Sequence, residues 1–338
     1  MTPKHHKQKT LGVIYTGGTI GMESSENGLV ASGDFDKKLK FFFPQFFNNP
    51  AIQLKIKSYP QPIDSSHANF DLAVNLQQNI LTSQAECESF LVIMGTDTLT
   101  FMSACLAFLL HQKNIPVIVT GAMHPLTANA SDAIANVNFA LDLLIKKEVQ
   151  GVNVVFAGKL FPATRCTKLF TQTNDAIVNT TAPKQLPAPI QPLHGLQLPA
   201  MFNDVDIRVI RVLPSLHQNY VNALFAGKPV AVIIQCYGSG TVPSENSAFA
   251  HALKQAANNG VPIFAIVQAQ CSWVDFGTYA AAGWIAKVAV PCGDMNLEAT
   301  YAKLWVLLNG GVAGENLKAA MPMNLCGEIS VAALVCDQ

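Results

Sequence analysis

Hydroxyl and acidic side chains in this sequence form three short motifs whose residue types suit nucleophilic chemistry. The apolar run 11–15 leads into Thr16-Gly17-Gly18-Thr19, and the apolar run 90–94 leads into Gly95-Thr96-Asp97-Thr98. A third motif, Asp64-Ser65-Ser66, precedes a helical pattern at 70–81. A threonine or serine hydroxyl becomes a nucleophile when a neighbouring base removes its proton. The motifs therefore predict a hydroxyl-based site, provided that the sequence also supplies a base.

Lysine 168 is the candidate for that base. The sequence contains neither a G-x-S-x-G turn nor a Ser-His-Asp order, so the usual histidine base is not indicated. A buried lysine can serve instead, because desolvation and neighbouring groups lower its pKa towards neutrality. We therefore expect Thr19, Thr96, Asp97 and Lys168 to supply nucleophile, proton relay, anchor and base.

Each motif also has a purely structural interpretation. Thr and Asp residues before a helix commonly accept hydrogen bonds from its unpaired N–H groups, which would explain Thr96, Asp97 and Asp64 as helix caps. The glycines suit a tight turn, although they would equally let a substrate approach the backbone. Taken motif by motif, the sequence leaves both interpretations open.

Alternating strand and helix patterns must position these residues. Apolar runs at 11–15, 90–94 and 117–119 resemble buried strands, and helical patterns follow at 99–112 and 131–147. Strands that alternate with helices are typical of βαβ units on a mostly parallel sheet. In such sheets ligands bind beyond the carboxyl ends of the strands, which is where the motifs fall.

A proline-rich segment separates this pattern from a second one. Five prolines lie within residues 182–200, a density that disfavours helices and central strands. Further strands are predicted at 229–235, 261–267 and 286–290, with helices at 247–258, 297–308 and 316–320. We therefore expect two α/β domains, a larger N-terminal one at 1–181 and a smaller C-terminal one at 213–338, joined by a Pro-rich linker at 182–212.

Composition narrows the functional class. The 338 residues have a formal net charge of +0 and only 13% charged side chains, against roughly 25% in a typical chain. Half of the residues are hydrophobic, which excludes a disordered chain, and without a basic surplus a nucleic-acid partner is not expected. No apolar run approaches the length of a membrane span, so a membrane partner is not expected either. Scarce charge also favours a subunit interface.

The cysteines and histidines show no metal-ligand spacing. None of the eight cysteines forms a C-x-x-C pair, so neither a zinc site nor a redox pair is predicted. Several of the cysteines lie in apolar stretches, as buried thiols do. This usage favours a reducing, cytoplasmic location.

Taken together and in this order, the motifs resemble those of bacterial type I (cytoplasmic) L-asparaginases. The similarity spans nearly the whole chain. The segments that carry it are 15–22 (YTGGTIGM), 64–66 (DSS), 95–98 (GTDT), 116–121 (PVIVTG) and Thr167-Lys168, with Pro125-Leu126, Ser131-Asp132, Tyr237-Gly238 and 298–300 (EAT) as further matches.

The resemblance implies that Thr19 attacks the side-chain amide of L-asparagine and that water then releases L-aspartate from an acyl-enzyme. Thr96 and Lys168 would manage protons, and Asp97 would hold the substrate's α-ammonium group. The resemblance further implies a homodimer or homotetramer, no metal or organic cofactor, and an acidic residue from a partner subunit. The expected substrate-binding residues are Gly18, Asp64, Ser65 at the α-carboxylate, Ser66, Thr96 and Ala122 through backbone N–H groups, Asp97, and Asp294 as the partner's acidic residue.

The sequence departs from the family pattern at several positions. A tyrosine usually lies in the loop after TGGTIG, at a position that falls near Leu29, but no tyrosine occurs between Tyr15 and Tyr59. Ala130 stands where an arginine is common, and residues around Gln235 and Ala269 do not match the allosteric asparagine site of some relatives. Two alternatives therefore remain beside asparagine hydrolysis: an amidase for another small ω-amide such as L-glutamine, and a non-catalytic amino-acid-binding protein.

Overall fold

A computed structural model describes residues 8–26, 28–30, 32–181 and 185–332 of the chain. The chain divides into two compact units, Met1–Val178 and Asn179–Gln338. Each unit carries a mostly parallel sheet with helices, which confirms the expected fold class of two α/β domains. The expected linker at 182–212 includes residues 182–184, which lie outside the described residues, and ends on a regular strand at Ile207–Arg211.

The first unit contains a six-stranded sheet in the order β4-β1-β5-β6-β7-β8, parallel except for the antiparallel pair β7–β8. Short two-stranded pairs join β2 to β3 and β9 to β10. The strands are β1 (Lys9–Gly17), β2 (Glu23–Ser25), β3 (Gly28–Val30), β4 (Ile52–Ile63), β5 (Ser89–Ile93), β6 (Val117–Thr120), β7 (Val152–Phe156), β8 (Lys159–Pro162), β9 (Cys166–Lys168) and β10 (Ile177–Asn179).

Helices of the first unit cover a sheet whose central strands are buried on both faces. Helix α4 is apolar nearly all round, and a helix of that kind must lie in a core. Helix α5 contributes one apolar stripe to a cluster with β1 and β5, and it ends where Lys147 adopts a left-handed φ of 60°. The helices are α1 (Phe35–Phe42), α2 (Pro44–Phe47), α3 (Phe70–Ser83), α4 (Leu99–Leu109) and α5 (Ala133–Lys146), with 3₁₀ turns at Thr19–Gly21, Ser65–His67 and Ala163–Arg165.

Strand β4 was not expected from the sequence, although it places the Asp64 motif. Its side chains alternate between partly buried and exposed, and Pro60 and Pro62 lie within it. Prolines are tolerated at a sheet edge, where a backbone N–H is not needed for the ladder. With β4 included, five adjacent parallel strands end at one edge of the sheet.

The second unit has a four-stranded parallel sheet in the order β12-β13-β14-β15. A separate antiparallel pair joins β11 to β16. The elements are β11 (Gln185–Pro187), β12 (Ile207–Arg211), α6 (Gln218–Phe225), β13 (Ala231–Cys236), α7 (Ala248–Asn258), β14 (Ile263–Val267), β15 (Val290–Pro291), α8 (Leu297–Asn309), α9 (Gly314–Ala320) and β16 (Ser330–Ala332), with 3₁₀ turns at Gly238–Gly240, Ala280–Ala282 and Ile285–Lys287.

The prediction of a strand at 286–290 was wrong. A 3₁₀ turn occupies Ile285–Lys287, and the strand that follows covers only Val290–Pro291. The backbone N–H of Lys287 donates to the carbonyl of Trp284, and that of Val288 donates to Ile285. Ala286 and Lys287 of this segment are exposed, and a short apolar run does not by its pattern alone distinguish a strand from a turn.

Candidate active site

Glycines at the end of β1 let two neighbouring backbones come into contact. A side chain at Gly17 would place its Cβ 2.4 Å from the backbone of Ile63, and one at Gly18 would lie 2.3 Å from Gly95. Both glycines also have φ values, +137° and +88°, that L residues rarely adopt. The turn therefore requires glycine for strand-to-strand approach, and Thr19 begins the 3₁₀ turn directly beyond it.

The Asp64 and Gly95 motifs meet in the same way. A Cβ on Gly95 would lie 2.6 Å from the Ser65 hydroxyl oxygen. That hydroxyl accepts a hydrogen bond from the Asp97 backbone N–H at 3.2 Å, and the Ser65 carbonyl accepts one from the Thr98 hydroxyl at 2.8 Å. Three motifs that are far apart in the chain thus form one backbone cluster at the carboxyl ends of β4, β1 and β5.

The capping interpretation holds for Asp64 and fails for Thr96 and Asp97. One Asp64 carboxylate oxygen accepts from both the backbone N–H and the hydroxyl of Ser66, each at 2.9 Å, and so caps the 3₁₀ turn Ser65–His67. These two hydrogen bonds hold the pKa of the Asp64 carboxyl below its ordinary value. At α4 the capping position belongs to Thr98, whose side chain makes no capping bond. The side chains of Thr96 and Asp97 therefore serve another purpose.

The side chains of Thr96 and Asp97 both contact Lys168. Its Nζ lies 2.8 Å from the Thr96 hydroxyl oxygen and 2.7 Å from a carboxylate oxygen of Asp97. Thr96 is 7% exposed, and the Lys168 side chain is 13% exposed, whereas that of Asp97 is 60% exposed. An ammonium group is thus held against a buried hydroxyl, beside a carboxylate that faces solvent. The structure brings these three predicted residues into direct contact.

A cavity of about 320 Å³ joins this cluster to the turn after β1. That volume lies near the small end of the range for ligand pockets. Seven of the predicted site residues line it, together with Leu29, the residue at the position where a tyrosine was expected. The lining residues are Gly18, Thr19, Met22, Leu29, Asp64, Ser65, Thr96, Asp97, Met123 and Lys168.

The hairpin β2–β3 carries Leu29, which is 46% exposed, over the cavity. Its base is anchored by Lys38 of α1, whose Nζ donates to the Gly21 carbonyl and to a Glu23 carboxylate oxygen, each at 2.8 Å. The hydrogen bond from Lys38 holds the pKa of the Glu23 carboxyl below its ordinary value. The same helix therefore holds the end of the Thr19 turn and the start of the hairpin.

Two methionines of the cavity wall were missed by sequence reasoning. Met22 ends the segment 15–22, and Met123 follows Gly121-Ala122 at the end of β6, with its sulfur 3.9 Å from the Thr96 hydroxyl. Position was the available signal, because Met22 is the last residue of that segment and Met123 directly follows the predicted site residue Ala122. Together with Leu29, their thioethers give a largely polar cavity its apolar surface.

Three predicted residues do not line this cavity. Ser66 points its hydroxyl at Asp64, and Ala122 is 1% exposed in the loop after β6. Asp294 belongs to the second unit, is 4% exposed, and accepts a hydrogen bond from the Ser330 backbone N–H at 2.9 Å. A carboxylate that is buried and bound within its own chain is poorly placed to enter a partner's site.

Neither a metal-binding cluster nor a membrane-spanning helix is found among the described residues. Among them, no cluster of three or more His, Cys, Asp or Glu side chains is arranged to hold a metal ion. None of the helices in the described ranges is long and apolar enough to cross a membrane.

Comparisons with known proteins agree with the family resemblance of the motifs over nearly the whole chain. Residues 10–188 match the family model described as Asparaginase, N-terminal, and residues 206–321 match the Glutaminase/Asparaginase C-terminal domain. The chain is 30% identical over 336 residues to L-asparaginase 1 of Escherichia coli (strain K12), an alignment that covers 96% of this chain and 99% of the relative.

Two solved structures extend the comparison to the fold. L-asparaginase I from Vibrio cholerae superposes with a TM-score of 0.82 at 26% identity, covering 96% of this chain and 100% of that one. The thermostable L-asparaginase from Thermococcus kodakarensis superposes with a TM-score of 0.81 at 25% identity, covering 95% and 99%.

Proposed function

The chain belongs to the asparaginase family, and from that premise we propose that it hydrolyses the side-chain amide of L-asparagine to L-aspartate and ammonia. The observation that carries the proposal is the contact of Lys168 with both Thr96 and Asp97, in a cavity that Thr19 also lines. A nucleophilic hydroxyl, a second hydroxyl bound to an ammonium group, and an exposed carboxylate are the groups this reaction needs.

Thr19 is the proposed nucleophile. Its hydroxyl oxygen attacks the amide carbon, and its proton passes to the departing nitrogen, so that an ester to Thr19 forms and ammonia leaves. Water then attacks the ester, returns the hydroxyl to Thr19 and releases L-aspartate. The position of Thr19 on a turn held by Gly17 and Gly18 supports this role, because a fixed nucleophile loses little entropy on reaction.

Thr96 and Lys168 are the proposed proton carriers. The hydrogen bond between them, 2.8 Å long, lets the neutral amine of Lys168 take the Thr96 hydroxyl proton while Thr96 takes one from the reacting hydroxyl or water, without a change in heavy-atom positions. Because Lys168 contacts both the Thr96 hydroxyl and the Asp97 carboxylate, the position of its Nζ is fixed within reach of the relay. We infer that the pair relays a proton to the departing ammonia and takes one from the attacking water.

Substrate binding follows from the remaining lining groups. The exposed Asp97 carboxylate suits the α-ammonium group, and Ser65 is proposed to meet the α-carboxylate. Backbone N–H groups near Thr96 and Ala122 are proposed to stabilise the developing oxyanion, a contribution that often dominates acyl transfer. The participation of Ala122 stays a prediction. So does that of Asp294 from a partner subunit, although the burial of Asp294 in its own chain argues against it.

Removal of the two hydroxyls tests the proposal. In Thr19→Val and Thr96→Val, which keep the side-chain shape, ammonia release from L-asparagine should fall by about 10³-fold or more. Thr19→Ser is the matched control, since it keeps a hydroxyl at the same place and should retain measurable turnover. A coupled ammonia assay on pure protein gives the rates. Normal rates in both valine variants would show that the site is assigned wrongly.

Leu29 motivates the second candidate, a protein that binds the amino acid without turnover. It lines the cavity where a hydroxyl was expected, so the nucleophile lacks that hydroxyl as a partner. Calorimetric binding of L-aspartate with no ammonia release from L-asparagine or L-glutamine would favour this candidate. The same assay compares kcat/KM for the two amides, because one methylene shifts preference by only about 10–200-fold.

We also propose a homodimer or homotetramer in the cytoplasm. Several large apolar side chains are exposed on the single chain, among them Phe170, Ile190 and Met201 at 46%, 67% and 83%. No disulfide joins the cysteines of the described residues, as expected of a protein from a reducing compartment. Light scattering coupled to size exclusion measures the assembly; a stable monomer at micromolar concentration would contradict it.

A further inference from the structure

Asp132 is a buried carboxylate to which the proposed mechanism gives no role. It lies just before α5 and is 7% exposed. Both of its oxygens accept hydrogen bonds from the Met123 backbone N–H, at 3.1 and 3.0 Å, and one of them also accepts the His124 N–H at 3.0 Å. The carboxylate therefore faces the backbone of the loop 121–124, which we call the β6 loop.

Asn136 extends this contact one helical turn along α5. Its side-chain N–H₂ donates to an Asp132 oxygen at 3.2 Å and to the Gly121 carbonyl at 3.0 Å. Its carbonyl oxygen accepts the Ala157 N–H at 2.9 Å, beyond the end of β7. Residues four apart lie on one face of a helix, so the two side chains hold both ends of the β6 loop together.

The β6 loop packs directly on Thr96. A Cβ on Gly121 would lie 2.4 Å from the Met94 carbonyl oxygen and 3.2 Å from the Thr96 methyl group. At the other end of the loop, the Met123 sulfur lies 3.9 Å from the Thr96 hydroxyl, and Met123 lines the cavity. A shift of this loop would therefore move the cavity wall and the contacts of Thr96 together.

We propose that Asp132, with Asn136, is a positioning residue that orients the backbone of the β6 loop for stabilisation of the oxyanion. A buried carboxylate costs free energy of desolvation, which its hydrogen bonds to N–H groups offset only in this one loop geometry. Asp132 fixes the directions of the Met123 N–H and the His124 N–H, and its partner Asn136 holds the Gly121 carbonyl, which lies in the same peptide plane as the Ala122 N–H. The inference rests on the proposed function, since it concerns charge that develops at that site.

The test is Asp132→Asn, which keeps the shape but turns one acceptor into a donor that faces N–H groups. We expect kcat for L-asparagine to fall about a hundredfold, the scale of an ångström-sized displacement in an active site. KM and the calorimetric affinity for L-aspartate should change less than about threefold, because ground-state binding does not use the oxyanion contacts. Asp142→Asn, an exposed position on the same helix, is the matched control and should leave both constants unchanged.

Asn136→Ala provides a second route if Asp132→Asn does not fold. It removes the bonds to Gly121 and Asp132 and should lower kcat by about tenfold with the same small effect on KM. A kcat within threefold of the parent in a folded variant would overturn the inference. So would equal losses of kcat and of L-aspartate affinity, which indicate general loosening of the site. Thr19→Val separates the two failures: if it is inactive while Asp132→Asn is normal, only the positioning role is wrong.

Discussion

Two lysines of this chain meet carboxylates in different surroundings. Lys168 of the first unit contacts the Thr96 hydroxyl and Asp97, at the wall of an open cavity. Lys303 of the second unit is 0% exposed and paired at 2.7 Å with Glu328, which is also 0% exposed. Its Nζ also donates to the Met321 carbonyl at 2.8 Å and to the Met323 carbonyl.

The two ammonium groups differ in whether all of their hydrogen-bond partners are enclosed in the protein. The three donors of Lys303 meet three acceptors, and Glu328 accepts the N–H groups of Leu325 and Cys326, so the pair is enclosed and saturated. Lys168 instead holds a hydroxyl that a ligand can reach. A sealed ion pair can serve only to stabilise the fold, whereas the pair at the cavity wall is accessible for the proton transfer proposed above.

The largest expected effect is on activity, in Lys168→Met. Ammonia release should fall by about 10²–10⁴-fold, the usual contribution of a general acid–base group. The free energy of unfolding should change by less than about 1 kcal/mol, because Asp97 is largely exposed and pairs of that kind contribute little. Lys159→Met removes an ammonium group from an ion pair away from the cavity, 2.6 Å from Asp175 with both side chains half-exposed, and is the control for rate and stability. Full activity in Lys168→Met would show that Lys168, like Lys303, has no part in the reaction.

The next effect is on stability, in Lys303→Met. An uncompensated Glu328 would remain buried, and the loss of one partner of a buried pair costs about 3–5 kcal/mol of unfolding free energy. The double variant Lys303→Met/Glu328→Gln removes both charges and should recover part of that loss. Urea unfolding followed by circular dichroism measures both. Equal stability in Lys303→Met and the parent would show that the buried Lys303–Glu328 pair does not stabilise the fold.

The smallest expected effect is in Leu29→Tyr, which asks whether Lys168 and Thr96 suffice for proton movement. A hydroxyl next to Thr19 should raise kcat by up to about tenfold, a modest gain for a general acid–base group. Leu29→Phe carries the same ring without the hydroxyl and controls for packing of the hairpin. Steady-state ammonia release gives the rates. Equal kcat in the tyrosine and phenylalanine variants would mean that no hydroxyl is needed at this position.

Much of the candidate site could be predicted because strand ends are visible in the sequence. Glycine turns after apolar runs place Thr19 and Thr96 at one sheet edge, whatever the details of packing. The role of Asp132 was not visible in the same way, since an acidic residue before a helix is equally well explained as a cap. The run 286–290 was misread as a strand because so short an apolar pattern does not by itself distinguish a strand from a 3₁₀ turn.

The sequence by itself determined the chemical groups of this protein and the sheet edge at which they gather. Apolar periodicity and glycine turns are local properties, so they are encoded within short segments. Only the tertiary structure decided which ammonium group is sealed and which one is open. The partners of Lys168 are 71 and 72 residues away, and those of Lys303 lie 18 to 25 residues further along the chain. Enclosure depends on how such distant segments pack, which no local pattern specifies.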